Sequence, residues 1–513
     1  MKSIFKKIKE NPFLCLICVG AIALHFFALR RVPMAWHPDE AGSAYDAWCI
    51  ANYGVDRYRN SYPVLFFNFG GGGQSALYTY MASIFIKIFG VSLYVFRIPA
   101  AIMSLAVLFS GLGVLNLLGA DKYKKIIWAG LYTVMPYFFM AGRIGLDCNL
   151  MLGTSSVFLF FLILALKKDK TWMYIVAGIT GGIVLYTYTI SYLVMILFVI
   201  FTFVFMVVYK KLTWKKAVGF CIPLMFLAVP LVIVQIVNIF DLETLRIWKF
   251  TFVKLTGYRG GEVGFPRISR LPQVLKAIFL YDGIGYNTNP KFLTMYCISI
   301  PFFVIGFVKA VYDFVKKIKA KEFEPSVVLL FWFAAEIIVG MMLGGDGPNT
   351  NKLNGIFFCT LYYVVGGIVY VIEKVKYKKA VFFAIAGCYL VFAVFFFGYY
   401  FLKEKDVKQT GFNGTFEKAM EIIENDESLD GKSVYIGWGV ETYIYYFLTT
   451  LPSPFEKHVE ECYGGCDRYT FYLPDEVDMY ACYILLGWSD IYDRLESAGF
   501  ETIQLENDMK LVY

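Results

Sequence analysis

Histidine is almost absent from this chain, with three in 513 residues. No zinc ligand set appears around them, and the Cys-x-x-Cys spacing of Cys15 and Cys18 falls inside an apolar run, so a structural zinc site or a thioredoxin-like redox centre is not indicated. Charge is scarce as well. Only 17% of the residues are Asp, Glu, Lys or Arg, against 58% hydrophobic and 19% aromatic. That composition excludes a water-soluble domain of ordinary make-up. No phosphate-cradling glycine pattern follows a strand-like segment and no solenoid-type repeat is found, which argues against a nucleotide-binding domain or a repeat scaffold. Most of the eleven cysteines lie in apolar runs, where a thiol behaves as a small hydrophobe. Only Cys462 and Cys466, in CYGGC, have the look of a short disulfide.

What the chain does have is long apolar segments. A helix crossing a hydrocarbon layer of ~30 Å needs about 20 residues. The hydrophobic pattern predicts eleven such helices, over 12–30, 96–118, 126–141, 149–166, 171–188, 192–209, 217–238, 292–310, 326–344, 355–372 and 380–402. A twelfth, shallower or re-entrant helix is expected over 75–90. The fold class predicted is therefore an α-helical polytopic membrane domain over residues 1–402. A small extracytoplasmic α/β domain is expected over 403–513, where 433–437 and 482–487 have strand character and 415–425 and 489–498 have helical spacing. The segment 12–29 reads as an uncleaved first helix, since no small-residue cleavage site follows it.

The net charge of +8 is unevenly divided. Residues 403–513 carry 22 acidic and 9 basic side chains, a net of −13, which leaves +21 on residues 1–402. The basic residues cluster at Lys2–Lys9, 121–125, 167–170, 210–216, 316–321 and 374–379. Eleven crossings bring all six clusters to one face, which the positive-inside bias makes cytoplasmic. The N-terminus is then cytoplasmic, and the acidic tail and the loops 31–95, 142–148, 187–191, 239–291 and 345–354 share the outer face. Short clusters between apolar runs are explained by membrane orientation, and no nucleic-acid partner is expected.

Polar residues of chemical interest collect in these outer loops. In WHPDEAGSAYDAW, Asp39 and Glu40 follow the first helix directly; adjacent acids beside hydrocarbon are solvated, paired or used. Pro38-Asp39-Glu40 also has the form of a helix N-terminus running on through Tyr45 and Trp48, so a structural and a catalytic reading both stand. Arg143 and Asp147 would share a face and pair if their helix continues, or Asp147 would join Asp39 in one site. In GGDGPNTNKLNG, Lys352 is flanked by Asn349, Asn351 and Asn354, groups suited to a phosphate or, equally, to a polar turn with one snorkelling lysine. Arg259, Arg267 and Arg270 go against the charge bias on the outer face and call for an anionic partner such as a lipid-linked phosphate. Glu336 lies deep in an apolar helix, a functional position unless a hidden partner accounts for it. Tyr188, in a Tyr-Thr-Tyr-Thr stretch, suits interface packing better than ligand contact.

Taken together, the first helix with its Pro-Asp-Glu motif, the second outer acid after an arginine, and the late Asn-x-Asn-Lys-x-Asn loop resemble the C-type (GT-C) membrane glycosyltransferases. The similarity over residues 1–402 is greatest to the protein O-mannosyltransferase and lipid A aminoarabinose transferase groups. The resemblance implies Asp39 as catalytic base with Glu40 beside it, Asp147 as the second acid, and Arg143 as its preceding arginine. It also implies Lys352 in place of the family's more usual arginine, which keeps charge neutralisation but not bidentate binding. The implied donor is a polyprenyl-phosphate-linked sugar, used in an inverting displacement with Lys352, Arg143, Arg259, Arg267, Arg270, Asn351 and Asn354 about its phosphate. Members of the family differ in their use of a divalent cation, and the sequence leaves the metal open. The acceptor is a protein, a glycolipid or a cell-wall polymer. A transporter or flippase of lipid-linked sugars is the alternative from another class, and an oligosaccharyltransferase or sugar polymerase the alternative within this one. The enzyme reading requires Asp39, Asp147 and Lys352 to meet in one cavity.

Overall fold

The computed structural model describes residues 11–33, 35–258, 260–402, 416–437, 442–486, 490–505 and 509–513. The Lys2–Lys9 cluster and Arg259 lie outside the described residues. Helices occupy all eleven expected segments, but seven are long and apolar enough to cross a membrane. They are Leu93–Leu117, Asp147–Lys168, Ser191–Val208, Trp214–Ile239, Pro325–Met342, Ile356–Lys374 and Lys378–Leu402. The other four are shorter or less apolar. Pro12–Phe26 and Thr171–Val184 have 15 and 14 residues; Pro136 breaks the 126–141 segment into Lys122–Val134 and Pro136–Ala141; and Ser299–Lys319 carries Lys309 and Asp313 on its length. Against the expected eleven spans, seven helices among the described residues have the length and composition of a full span. The chain is nonetheless a polytopic membrane protein.

Four helices at the start of the chain build one side of the bundle: α1 (Pro12–Phe26), α2 (Pro38–Tyr53), α3 (Ala76–Phe89) and α4 (Leu93–Leu117). α1 stops four residues short of its expected end because buried guanidinium groups take up the carbonyls that a helix terminus leaves open. Arg143 donates to Leu24 O, His25 O, Phe27 O and Val32 O, and Arg97 to Leu29 O, Pro33 O and Ala35 O. The apolar core runs between the long helices. Where Ser299–Lys319 crosses Ile356–Lys374, a Cβ on Gly306 would lie 1.9 Å from Tyr363 O, and one on Gly367 1.9 Å from Phe302 O. Only glycine allows backbones so close, a common device of helix packing in lipid.

The described basic clusters collect at one end of the bundle. Lys216 pairs with Asp169 at 2.6 Å, Lys211 lies over Phe323, Lys124 lies over Tyr362 and Tyr123 packs on Phe382. α4, 25 residues and therefore about 37 Å long, leads from that end to Arg97 and the N-terminus of α2.

Towards the C-terminus, a six-stranded sheet has the order Gly465–Cys466, Tyr469–Thr470, Val434–Gly437, Cys482–Leu486, Met509–Val512, Thr502–Gln504. The two expected strands are neighbours and pair in parallel, Val434 opposite Cys482. The expected helices appear as Phe416–Asn425 and Asp490–Ser497, and Cys462 and Cys466 form a disulfide. This region packs on α2: Tyr45 OH donates to Pro452 O (2.7 Å), Arg59 Nε to Pro454 O (2.7 Å), and Tyr445 OH to Trp36 O (3.2 Å). Nothing in the sequence of the tail gives it a part in positioning the site; in the structure it holds the helix that carries Asp39.

Candidate active site

At the bundle end away from the basic clusters, a cavity of about 460 Å³ is lined by Asp39, Asp147, Tyr188, Asn351 and Lys352 among others. They arrive from four separate segments, Asn351 and Lys352 sharing one, and local chemistry explains their positions. Pro38 opens α2 at its first turn, where a fixed φ is pre-organised and no amide hydrogen is missed. His37 Nδ1 accepts from Asp39 N (3.2 Å) while the Glu40 carboxylate accepts from His37 N (3.1 Å), a reciprocal cap. The Asp39 carboxylate stays 42% exposed toward the cavity.

Asp147 begins a single 3-10 turn, Asp147–Asn149, because the preceding helix has ended at Ala141. Its Oδ2 accepts from Ser75 N at 2.8 Å and its Oδ1 from Cys148 N at 2.7 Å. Ser75 closes the hairpin Leu65–Phe67/Gly73–Ser75, whose Asn68 and Gln74 form part of the cavity wall. Of the two readings, the Arg143–Asp147 pair fails its condition: the helix does not continue, and Arg143 bonds to the carbonyls of 24–32 instead.

The Lys352 loop is moored by carboxamides. Asn287 Nδ2 donates to Asn351 Oδ1 (2.6 Å) and to Asn149 Oδ1 (3.2 Å), and Asn351 Nδ2 donates to Tyr286 OH (2.7 Å). Thr350 N donates to Asp282 Oδ2 at 2.6 Å. This chain of groups fastens the turn after Asp147, the 280–291 loop and the 345–354 loop to one another, and it sets Lys352 on the same cavity as the two acids. Lys352 has no ion pair within the described residues.

Other candidates fall elsewhere. Glu40 faces away from the cavity, its oxygens receiving Arg97 Nε and Nη2 (2.8 and 2.7 Å) and Gly145 N (2.6 Å). Glu40 is therefore not among the residues lining the cavity. Arg143 is fully buried against Phe139 and Phe401, donates to four backbone carbonyls and lies outside the cavity lining. Asn354 is buried behind the loop, accepting from Tyr137 OH and donating to Asn351 O. Arg267 and Arg270 lie outside the cavity lining; Arg270 donates to Gln273 Oε1 at 2.9 Å. Glu336 is buried beneath Gly355, again away from the lining.

Several contributors carry no mark in the sequence. Gln235, Tyr258 and Glu262 line the wall opposite α2, with Tyr258 OH donating to Gln235 Oε1 at 2.7 Å. Phenols and carboxamides of this kind offer the mixed donors and acceptors that sugar hydroxyls need. Among the described residues the lining holds three carboxylates, Asp39, Asp147 and Glu262, and one ammonium, Lys352. Among the described residues no group of three or more His, Cys, Asp and Glu is arranged to hold a metal ion.

No protein-family model and no curated protein matches the chain. Solved structures do. ArnT from Cupriavidus metallidurans in the apo state matches with a TM-score of 0.55 at 11% identity, over 98% of each chain. The same protein bound to undecaprenyl phosphate matches with a TM-score of 0.54 at 12% identity, again over 98% of each. At such identities the likeness is one of fold, and it extends over nearly the whole chain. The fold is the C-type glycosyltransferase fold that the loop motifs resembled.

Proposed function

We propose that this chain is a membrane glycosyltransferase that moves a sugar of hexose type from a polyprenyl-phosphate carrier to an acceptor nucleophile, with inversion at the anomeric carbon. The carrying observation is that Asp39, Asp147 and Lys352 line a single cavity. The cavity belongs to a fold shared with a protein that has been crystallised with undecaprenyl phosphate.

Asp39 is the accessible carboxylate and acts as general base. The acceptor O–H gives its proton to Asp39 as its oxygen bonds to the anomeric carbon, and the bond from that carbon to the phosphate oxygen breaks with its electron pair. Charge grows on the departing lipid phosphate, where Lys352 is the cation that the described residues bring to the cavity lining. Asp147, fixed by two N–H donors, holds its carboxylate beside the reacting centre without itself changing partners. Asn351 and Tyr286, already bonded to each other, keep the Lys352 loop in register, and Tyr188 closes the wall. A single displacement of this kind needs one base and no protein nucleophile. The charge bias of the basic clusters at the far end of the bundle supports a cytoplasmic N-terminus, with the cavity and the acidic tail on the outer side of the cell membrane. Acceptors on that side include proteins, glycolipids and cell-wall polymers.

The test is transfer of radiolabelled sugar from a polyprenyl-phosphate donor in proteoliposomes. Asp39→Asn is expected to lower transfer about 10²–10⁴-fold, the usual contribution of a general base, with donor binding retained. Transfer at the wild-type rate in a folded Asp39→Asn protein would remove the base assignment. Movement of labelled lipid between leaflets without transfer would favour the flippase alternative.

A further inference from the structure

A second and larger crevice, about 1080 Å³, opens at the seam between the helix bundle and the C-terminal region. Its apolar wall includes Phe27, Trp36, Phe401 and Leu448. Among the described residues its charged lining side chains are Arg30 and Arg31, both exposed and neither ion-paired there. Ser92 and Tyr94, at the N-terminus of α4, complete the polar rim, so the positive end of that helix faces the same space.

Two features select the class of occupant. The described basic clusters gather at the opposite end of the bundle, so two adjacent arginines at this end run against the orienting bias and need an anionic partner. The wall beside them is aromatic and aliphatic, and Phe27 is 62% exposed. An ion free in solution has no use for such a wall; a phosphate carried on acyl chains does. We infer that the crevice is a binding site for an anionic phospholipid, with its phosphate between Arg30 and Arg31 and its chains along Phe27 and Phe401.

The location gives the lipid a consequence. Trp36, three residues before Asp39, forms part of the crevice, and its carbonyl accepts from Tyr445 of the C-terminal region. A lipid wedged there fills the space between bundle and tail and steadies the segment that leads into the candidate site.

The test uses the full chain, purified in detergent and delipidated. Native mass spectrometry counts bound phosphatidylglycerol against phosphatidylcholine of the same acyl chains. Two cationic groups at an anionic headgroup each contribute about a factor of five, so phosphatidylglycerol is expected to be favoured about twentyfold or more. The preference should vanish in an Arg30→Gln/Arg31→Gln double variant. Equal retention of both lipids, an undiminished preference in the double variant, or displacement by equimolar undecaprenyl phosphate would each overturn the proposal, the last by giving the crevice to the carrier. Should the double variant fail to fold, photoactivatable phosphatidylglycerol on the wild-type protein decides. Labelling at 27–36, 91–94 and 445–449 supports the site, and labelling confined to other segments overturns it.

Discussion

Glu40 and Arg97 meet side by side with no solvent-exposed side-chain surface on either, their two hydrogen bonds 2.7 and 2.8 Å long. The pair knits the start of α2 to α4, and through Gly145 N and the carbonyls of Leu29, Pro33 and Ala35 it gathers the end of α1 and the turn before Asp147 as well. Removing one member of a buried pair leaves the other charge uncompensated, at a cost of about 3–5 kcal/mol. Arg97→Met and Glu40→Ala should each lower the unfolding midpoint in detergent far more than Asp39→Asn does. The Arg97→Met/Glu40→Met double variant should recover part of the loss. Equal stabilities for the single variants and the wild type would show that the pair does not organise the site.

Lys352 bears differently on the reaction. As the cation among the described residues of the cavity lining, it should be needed for the donor phosphate rather than for folding. A hydrogen bond to a charged group is worth about 1.5–3 kcal/mol, so Lys352→Met should cost about 10–150-fold in kcat/KM for the donor. Lys352→Arg should restore most of it, because charge is kept. Steady-state kinetics with varied donor concentration checks this, and an unchanged kcat/KM in Lys352→Met would move the phosphate site elsewhere.

How far the sequence could be read depends on what each residue's position rests on. Asp39, Asp147 and Lys352 stand in short turns at the ends of apolar runs, and a chain confined by a bilayer has few places to put such turns, so their common location followed from topology. The direction of a side chain did not follow. A pair of Arg143 with Asp147 depended on a continuing helix, but the helix ends at Ala141 and the guanidinium turns back to the carbonyls closing α1. Arg97 was hidden as one charge within an apolar run, and its partner Glu40 could not be told from Asp39 by spacing. Tyr286, Asn287 and Gln235 come from segments with no periodicity to mark them, or from the interior of a helix. Apolar content alone does not reveal a break such as Pro136 or a 14-residue length such as Thr171–Val184, so the expected segments there are longer than the helices.

A buried acid near α2 gives a pH-dependent stability. Asp56 is pushed up to about 7 by burial and then by the neighbouring Asp46 carboxylate, with the Asn60 N–H groups and Arg57 opposing in smaller measure. Its ordinary value is 3.8. Below that value both folded and unfolded chains hold the proton, and above about 7 both have lost it. In between, the unfolded chain ionises first while the folded one keeps its proton, so stability falls as pH rises from about 4 to about 7. Asp56→Asn keeps an acceptor for Tyr58 N and Asn60 N, 2.9 and 2.7 Å away, and removes the titration. Unfolding midpoints at pH 5, 6 and 7.5 should slope downward for the wild type and less steeply for the variant. Parallel slopes would assign the dependence to other groups.

Gly355 and Glu336 test whether the lower boundary of the Lys352 loop is as tight as it looks. A Cβ on Gly355 would lie 2.2 Å from Glu336 Oε1 and 3.0 Å from the Met151 methyl. The nearby Trp332 Nε1 donates to Gly355 O at 3.0 Å, which pins the backbone against retreat. Gly355→Ala must therefore displace the carboxylate, and overpacking of this kind costs about 1–3 kcal/mol. Because the loop above holds Lys352, the same change should weaken transfer as well as stability. Glu336→Ala opens room for the added methyl group, so the Gly355→Ala/Glu336→Ala double variant should be more stable than the sum of the single changes predicts. A double-mutant cycle on unfolding free energies measures that difference. Strict additivity would mean that the two residues do not meet, and that the floor of the loop is softer than the packing around Gly355 implies.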